Sequence, residues 1–274
     1  MAEAVEKTCY RHPDRVTGLS CSECGRPICT ECMTMAPVGI RCPEHSGRPQ
    51  GVQRVTHGVQ RAAFEGAGAK VTKLLIGVNV AAYVAELAQG GGVYGVNSTI
   101  YEKGVLWAPF VANGDYWRLV TAAFLHYGPF HLAINMYSLY FAGSILEQVI
   151  GRWRFALLYL ASGLAGAAGA LVWSPNVPTV GASGAIFGIL GALFVLERRG
   201  NIATGGQVGG LIVLNLIFTF VLSSFISVGG HVGGLIGGLL LMLAFARFRR
   251  SWQVSAAAAA ALAVAAVVVA YSAV

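Results

Sequence analysis

From residue 71 onward the chain is cut into apolar blocks long enough to cross a bilayer, and this governs every other reading of it. A helix needs about 20 apolar residues to cover a hydrocarbon core of about 30 Å, and unpaired backbone polar groups are not tolerated in lipid. Seven stretches reach or approach that length: 71–89, 129–149, 153–173, 183–197, 207–225, 230–247 and 252–273. The last, "VSAAAAAALAVAAVVVAY", is rich in alanine and only weakly hydrophobic. With 55% hydrophobic and 11% charged residues among 274, the composition predicts an all-α polytopic membrane protein. The first apolar run begins only near residue 71, so no cleavable signal peptide is expected.

The net charge of +7 is not a nucleic-acid footprint. Arg152 and Arg154, Arg198 and Arg199, then Arg247, Arg249 and Arg250 lie at alternate helix ends, and Lys70 and Lys73 stand at the start of the first block. If seven helices alternate in direction, all of these fall on one side, while the opposite loops carry only Lys103 and Arg118. The positive-inside rule then places the N-terminus in the cytoplasm and the C-terminus outside, in a multi-pass protein of the cell membrane.

Ahead of the blocks stands a different chemistry. The spacing Cys9-x-x-His12, Cys21-x-x-Cys24, Cys29-x-x-Cys32, Cys42-x-x-His45 uses all six cysteines of the chain. Eight ligands in two-residue-spaced pairs suffice for two tetrahedral Zn²⁺ sites of three thiolates and one imidazole each. Disulfides are disfavoured on the reducing side of a membrane. Only "GRPI" separates the second pair from the third, which favours an interleaved partition over two sites side by side. Cys9, His12, Cys29 and Cys32 would share one ion; Cys21, Cys24, Cys42 and His45 would share the other. The ligand order resembles a B-box-type zinc finger over residues 9–45, which implies a structural binding module with an unidentified protein partner. The domain expectation is therefore a zinc-binding cytoplasmic domain over 1–45 and a flexible linker over 46–69, in which His57 is solvated. A membrane core over 70–250 and a seventh helix over 251–274 follow.

Several polar residues sit where the hydrophobic pattern gives them no excuse. In "PTVGASGAIFGIL", Ser183 opens a helix that must end before Glu197-Arg198-Arg199. Fifteen helical residues rise only about 22 Å, short of the core thickness, so Ser183 is expected below the outer boundary, under a depression that admits water. The glycines Gly184 and Gly188 match the rhythm of Gly230, Gly234 and Gly238 in "GGHVGGLIGGLL", and such faces let membrane helices approach closely. Ser183 and His231 lie at corresponding ends of the two faces. Taken alone, the serine and glycines are dimerisation furniture; the histidine is harder to dismiss, because ionisable groups at membrane depth are rare. In "FLHYGPFHLAINMYSLY", His131 and Asn135 share a helix face and His126 lies just before it.

Gly181-x-Ser183-Gly184, His131-x3-Asn135 and His231-x2-Gly234-x3-Gly238 resemble the motifs of rhomboid intramembrane serine proteases, over roughly residues 70–250. Trp117-Arg118 and Glu147 also resemble family positions. The resemblance implies a six-helix catalytic bundle with an added seventh helix, Ser183 as nucleophile and His231 as general base. It implies that His131 and Asn135 bind the oxyanion, that His126 supports the site, and that catalysis needs no cofactor. Substrates would be single-span transmembrane proteins in the lipid bilayer, cleaved near the extracytoplasmic face. Several family members carry tyrosine where this chain has Phe187; stacking on the histidine is expected to survive. No aspartate is placed to orient His231, so a dyad is expected. Two rivals are an inactive rhomboid-like binder or adaptor, which would be expected to lack the serine or histidine, and a proton-coupled transporter. The transporter would need polar groups in both halves of the bundle, where apart from Glu86 and Asn215 the inner halves are apolar.

Overall fold

The computed structural model describes residues 7–35, 39–46, 68–202, 204–248 and 251–274. The chain divides into two compact units, Met1–Val55 and Thr56–Val274. Most of the linker expected over 46–69, with His57, lies outside the described residues, as do Arg249 and Arg250.

In the first unit each ligand pair closes a tight turn. The N–H groups of His12, Cys32 and His45 donate to the carbonyls of Cys9, Cys29 and Cys42 at 3.0–3.1 Å, and Gly25 donates to Cys21 at 2.8 Å. Such turns aim both ligands of a pair the same way. A two-stranded antiparallel ribbon, β1 (Thr34–Met35) against β2 (Ile40–Arg41), joins the third pair to the fourth. Ile28 is the one buried aliphatic among the described residues of this unit; its other buried apolar residues are cysteines. A core that small does not hold a domain without a staple.

The second unit is helical. α1 spans Lys70–Ala88. Three short helices follow in the connecting segment: α2 (Thr99–Gly104), α3 (Ala108–Ala112) and α4 (Arg118–Thr121). α5 (Gly128–Ser138) then runs without a break through a π-helical stretch, Leu139–Gly143, into α6 (Ser144–Ile150). α7 (Arg152–Trp173), α8 (Ser183–Arg198), α9 (Gln207–Val221), α10 (Val228–Arg247) and α11 (Trp252–Ser272) complete the bundle. Counting α5, the π stretch and α6 as one, seven apolar helices occur where the sequence predicts seven blocks. Four of them, α1, α7, α10 and α11, are long and apolar enough to span a membrane by length and composition.

Helix α8 is the centre of the bundle. Every residue from Ala185 to Leu193 is buried. It packs against α7 and α10, while α11 lies against α7. Glycine lets this happen: a Cβ on Gly184 would meet the Gly230 carbonyl at 3.2 Å, and one on Gly191 the Leu235 carbonyl at 2.7 Å. Cβ atoms on Gly234 and Gly238 would collide outright with the carbonyls of Gly184 and Gly188. The glycine faces read from the sequence are thus in backbone contact.

Two polar devices brace the rest. Glu147, at the end of the second span, accepts from the N–H groups of Val71 (3.0 Å) and Thr72 (2.8 Å) and from the Thr72 hydroxyl (2.8 Å). It thereby satisfies amide groups that open α1 and have no partner within the helix. In the connecting segment, Arg118 is buried: it pairs with Asp115 at 2.8 Å, donates to the carbonyls of Glu102 (2.7 Å) and Val105 (3.0 Å), and lies over the Phe110 ring. Trp117 donates to the Lys103 carbonyl at 2.9 Å.

Candidate active site

The braced segment reaches the serine loop. Leu106 and Thr179 exchange backbone hydrogen bonds, and the Gly181 N–H donates to the Ala122 carbonyl at 2.9 Å. Gly181 adopts φ +126°, a conformation that favours glycine. A Cβ there would also lie 2.7 Å from His131 Cε1 and 2.9 Å from its Nε2, so a side chain is excluded twice over. The turn ends at Ser183, the first residue of α8, whose N–H has no partner within the helix.

His131 and Ser183 therefore meet at Gly181. The point where that Cβ would stand is 2.9 Å from His131 Nε2 and 3.8 Å from Ser183 Oγ. His131 Nδ1 faces the N–H of Tyr127 at 3.3 Å. An N–H can only donate, so Nδ1 accepts, and the proton of the neutral ring sits on Nε2, on the serine side. Asn135, one turn further along the same face, is buried and uses one N–H on the His131 carbonyl at 2.9 Å. His126 is fully buried with its ring 5.2 Å from that of His131, and its ring nitrogens have no protein partner.

His231 enters from α10. Its residue follows Gly230, whose carbonyl is in contact with Gly184 beside Ser183. The ring lies flat on Phe187, with centroids 4.1 Å apart and planes 20° from parallel. Phe187 is four residues after Ser183, on the same face of α8, so the imidazole rests one turn along from the serine. The Ser183 hydroxyl is not hydrogen-bonded to His231 in this resting geometry; catalytic pairs are often looser before substrate arrives. His231 Nδ1 instead lies 2.7 Å from the hydroxyl of Thr219 on α9. The sequence places no acid beside His231, and the one trace of this contact in it is the pair Asn215 and Thr219, one turn apart on α9. A cavity of about 40 Å³ adjoins the serine, lined by Gly163, Gly166, Ala167, Ser183, Gly184 and Gly230 among others. That is room for water.

The first unit gathers its ligands as two sets: Cys9, His12, Cys29 and Cys32; and Cys21, Cys24, Cys42 and His45. Within each set the ligand atoms lie within 4.8 Å of one another. His12 Nδ1 stands 3.4 Å from the sulfurs of Cys29 and Cys32 and 3.9 Å from that of Cys9, and Cys24 Sγ stands 3.7 Å from Cys42 Sγ. Bond lengths of about 2.3 Å to sulfur and 2.0 Å to nitrogen give tetrahedral edges of about 3.5–3.8 Å, so both sets fit a metal ion of that coordination. The cysteines are free thiols. Burial pushes the Cys9 thiol up, but the backbone N–H groups around it, led by that of Cys29, prevail and bring it down to about 6. Cys21 is brought to about 6 in the same way, led by the N–H of Cys42. Cys32 and Cys42 are pushed the other way, to about 11, chiefly by burial. Thiolate is the form a metal requires, so binding an ion would release those protons.

A bundle built around a glycine-lined central helix, with serine and histidines at one end, defines a class of membrane protein, and residues 113–248 match the rhomboid domain. Rhomboid protease GluP from Bacillus subtilis (strain 168) is 34% identical over 189 residues, covering 68% of this chain and 36% of that protein. Inactive RHOMBOID-like protein 8 from Arabidopsis thaliana is 35% identical over 117 residues, covering 42% and 33%. RHOMBOID-like protein 7 from the same plant is 34% identical over 157 residues, covering 54% and 50%. In each case the chain spans half or less of its relative's length. The protein carries a rhomboid domain, and the proteins it is similar to include both a protease and an inactive rhomboid-like protein.

Proposed function

We propose that this protein is an intramembrane serine endopeptidase that cuts single-span transmembrane proteins near the extracytoplasmic face. Ser183 is the nucleophile and His231 the general base. His231 takes the hydroxyl proton as Oγ attacks a peptide carbonyl. The tetrahedral oxyanion is received by His131 Nε2–H, Asn135 and the Ser183 N–H, and His126 supports His131 from behind. On collapse the imidazolium gives its proton to the leaving amine. Water from the cavity then hydrolyses the acyl-enzyme by the same route. A helical substrate must unwind to present its carbonyl, so Gly, Pro or small residues near the scissile bond are expected.

The observation that carries this reading is the stacking of His231 on Phe187, one turn from Ser183, across the Gly184–Gly230 contact. It brings base and nucleophile to the same end of two helices that touch through their backbones. Cleavage of a single-span reporter by purified protein in liposomes, labelling of Ser183 by a fluorophosphonate, and loss of both in Ser183→Ala test it. A second reading, an inactive membrane-protein binder, draws on the inactive relative. Reporter captured but left whole, with no labelling, selects that reading.

For the head we propose two structural Zn²⁺ ions, since filled Cys₃His sites leave no open position for catalysis. An unidentified protein partner would dock there. The charge pattern of the helix ends supports a plasma-membrane location with the N-terminus cytoplasmic and the C-terminus extracytoplasmic.

A further inference from the structure

The second ring nitrogen of His231 is held from a helix that carries none of the proposed catalytic residues. Thr219 lies on α9, 1% exposed, with its Oγ1 2.7 Å from His231 Nδ1. The same oxygen lies 2.7 Å from the carbonyl of Asn215, one turn earlier in α9. A threonine hydroxyl has one proton and two lone pairs, and a carbonyl can only accept. The proton therefore goes to Asn215, and only lone pairs face the imidazole. For Nδ1 to make its contact it must carry hydrogen and donate.

We propose that Thr219 is a positioning residue that fixes His231 as the Nδ1–H tautomer, leaving the lone pair on Nε2 to receive the Ser183 proton. This rests on the protease reading and assigns the missing third member of its site. In three-residue serine sites a carboxylate orients the histidine and holds its tautomer. Here a hydroxyl does so, its direction set by its own bond to a helix carbonyl. Phe187 sets the plane of the ring, and Thr219 sets its rotation within that plane. When Nε2 accepts the proton, the Nδ1–H bond to Thr219 is retained, so no hydrogen bond need be rebuilt during the step. The result is that the two histidines of the site are held in opposite forms: His131 with its proton on Nε2 as a donor, His231 with Nε2 bare as an acceptor.

The test compares wild type, Thr219→Val and Thr219→Ser, with ¹⁵N-labelled histidines in detergent or bilayers and His231 assigned by its absence in His231→Gln. Wild type and Thr219→Ser should show His231 with hydrogen on Nδ1. Thr219→Val should lose that pattern, and its kcat for reporter cleavage should fall about 10–100-fold with KM within about twofold, since general-base catalysis as a whole contributes about 10²–10⁴. Thr219→Ser should recover most of the rate. A wild-type spectrum with the His231 proton on Nε2 overturns the inference, whether or not any variant folds. So does a Thr219→Val protein that keeps wild-type kcat, or one that loses rate while retaining the Nδ1–H tautomer. Wild type that shows the Nδ1–H pattern but neither cleaves nor labels overturns the protease reading instead, and with it the purpose given to Thr219.

Discussion

Phe187 and His231 are stacked face to face across two helices, 4.1 Å between ring centroids. Such a contact fixes the plane of a ring without spending any of its hydrogen bonds. Phe187→Ala should free the imidazole and lower reporter cleavage about two- to tenfold, the equivalent of the 0.5–1.5 kcal/mol such pairs contribute. Phe187→Tyr should stay within about threefold of wild type, because the stack is kept. Steady-state cleavage of a fluorescent single-span reporter checks both.

Removing either reacting group is a more severe change. Ser183→Ala and His231→Ala should each reduce cleavage by at least about a thousandfold, because nucleophile and base act as a unit and little survives the loss of one. Ser183→Ala removes only a hydroxyl and should hardly move the melting temperature in detergent, whereas His231→Ala also empties the place of a buried ring stacked on Phe187 and should lower it by a few degrees. A variant that melts early would give a trivial reason for its inactivity, and the two measurements belong together.

Gly234 tests the backbone contact. Its added Cβ would enter the Gly184 carbonyl. Gly234→Ala should cost about 1–3 kcal/mol by overpacking, and should also separate α10 from α8 and so His231 from Ser183. Both melting temperature and cleavage should fall. Unchanged activity would mean that the helices do not meet there.

Glu147 tests the brace at the opposite end. Glu147→Ala leaves the N–H groups of Val71 and Thr72 without their acceptor, at about 1–3 kcal/mol for each buried group. The expected result is a melting temperature lower by about 5 °C or more. The rate per folded molecule should be unchanged, since Glu147 is far along the helix from His131.

The metal clusters give a prediction that separates the two units. Metal analysis should find about two zinc ions per chain, the number set by two four-ligand sites. With Ile28 its one buried aliphatic among the described residues, the head has little else to hold it, and a strong chelator should render 7–46 sensitive to protease. Cleavage of the reporter should continue, because no metal is assigned to the serine site. Metal-dependent cleavage would contradict that separation.

Much of this was legible in the sequence, for identifiable reasons. Membrane helices must pair their own backbones, so apolar blocks translate into helices with few alternatives, and the seven expected blocks agree with the seven helices to within a few residues. The interleaving of the cysteine pairs was legible because the four residues between Cys24 and Cys29 leave little room for two sites side by side, and the structure groups the ligands in the interleaved sets. Other features left no such trace. The short helices α2 and α4 are tied together by Arg118 and Trp117 reaching the main-chain carbonyls of Glu102, Lys103 and Val105, and main-chain partners have no sequence. Thr219 was invisible for a related reason: threonine in a membrane helix commonly bonds its own backbone, as this one does to Asn215, and only the fold adds His231 on its other side.

The π-helical stretch Leu139–Gly143 was equally unreadable, yet it sits between two groups that must both face inward. A π turn takes in one residue more than an α turn, which sets everything beyond it back by about 100°. Take one residue out and the rod from Gly128 to Ile150 can still be wound, but its two ends fall out of phase. Either His131 and Asn135 look toward Ser183 or Glu147 looks toward Thr72, and the other end is turned to lipid. The wide turn is the coupling that lets one rod serve the pocket at its head and the cap at its foot.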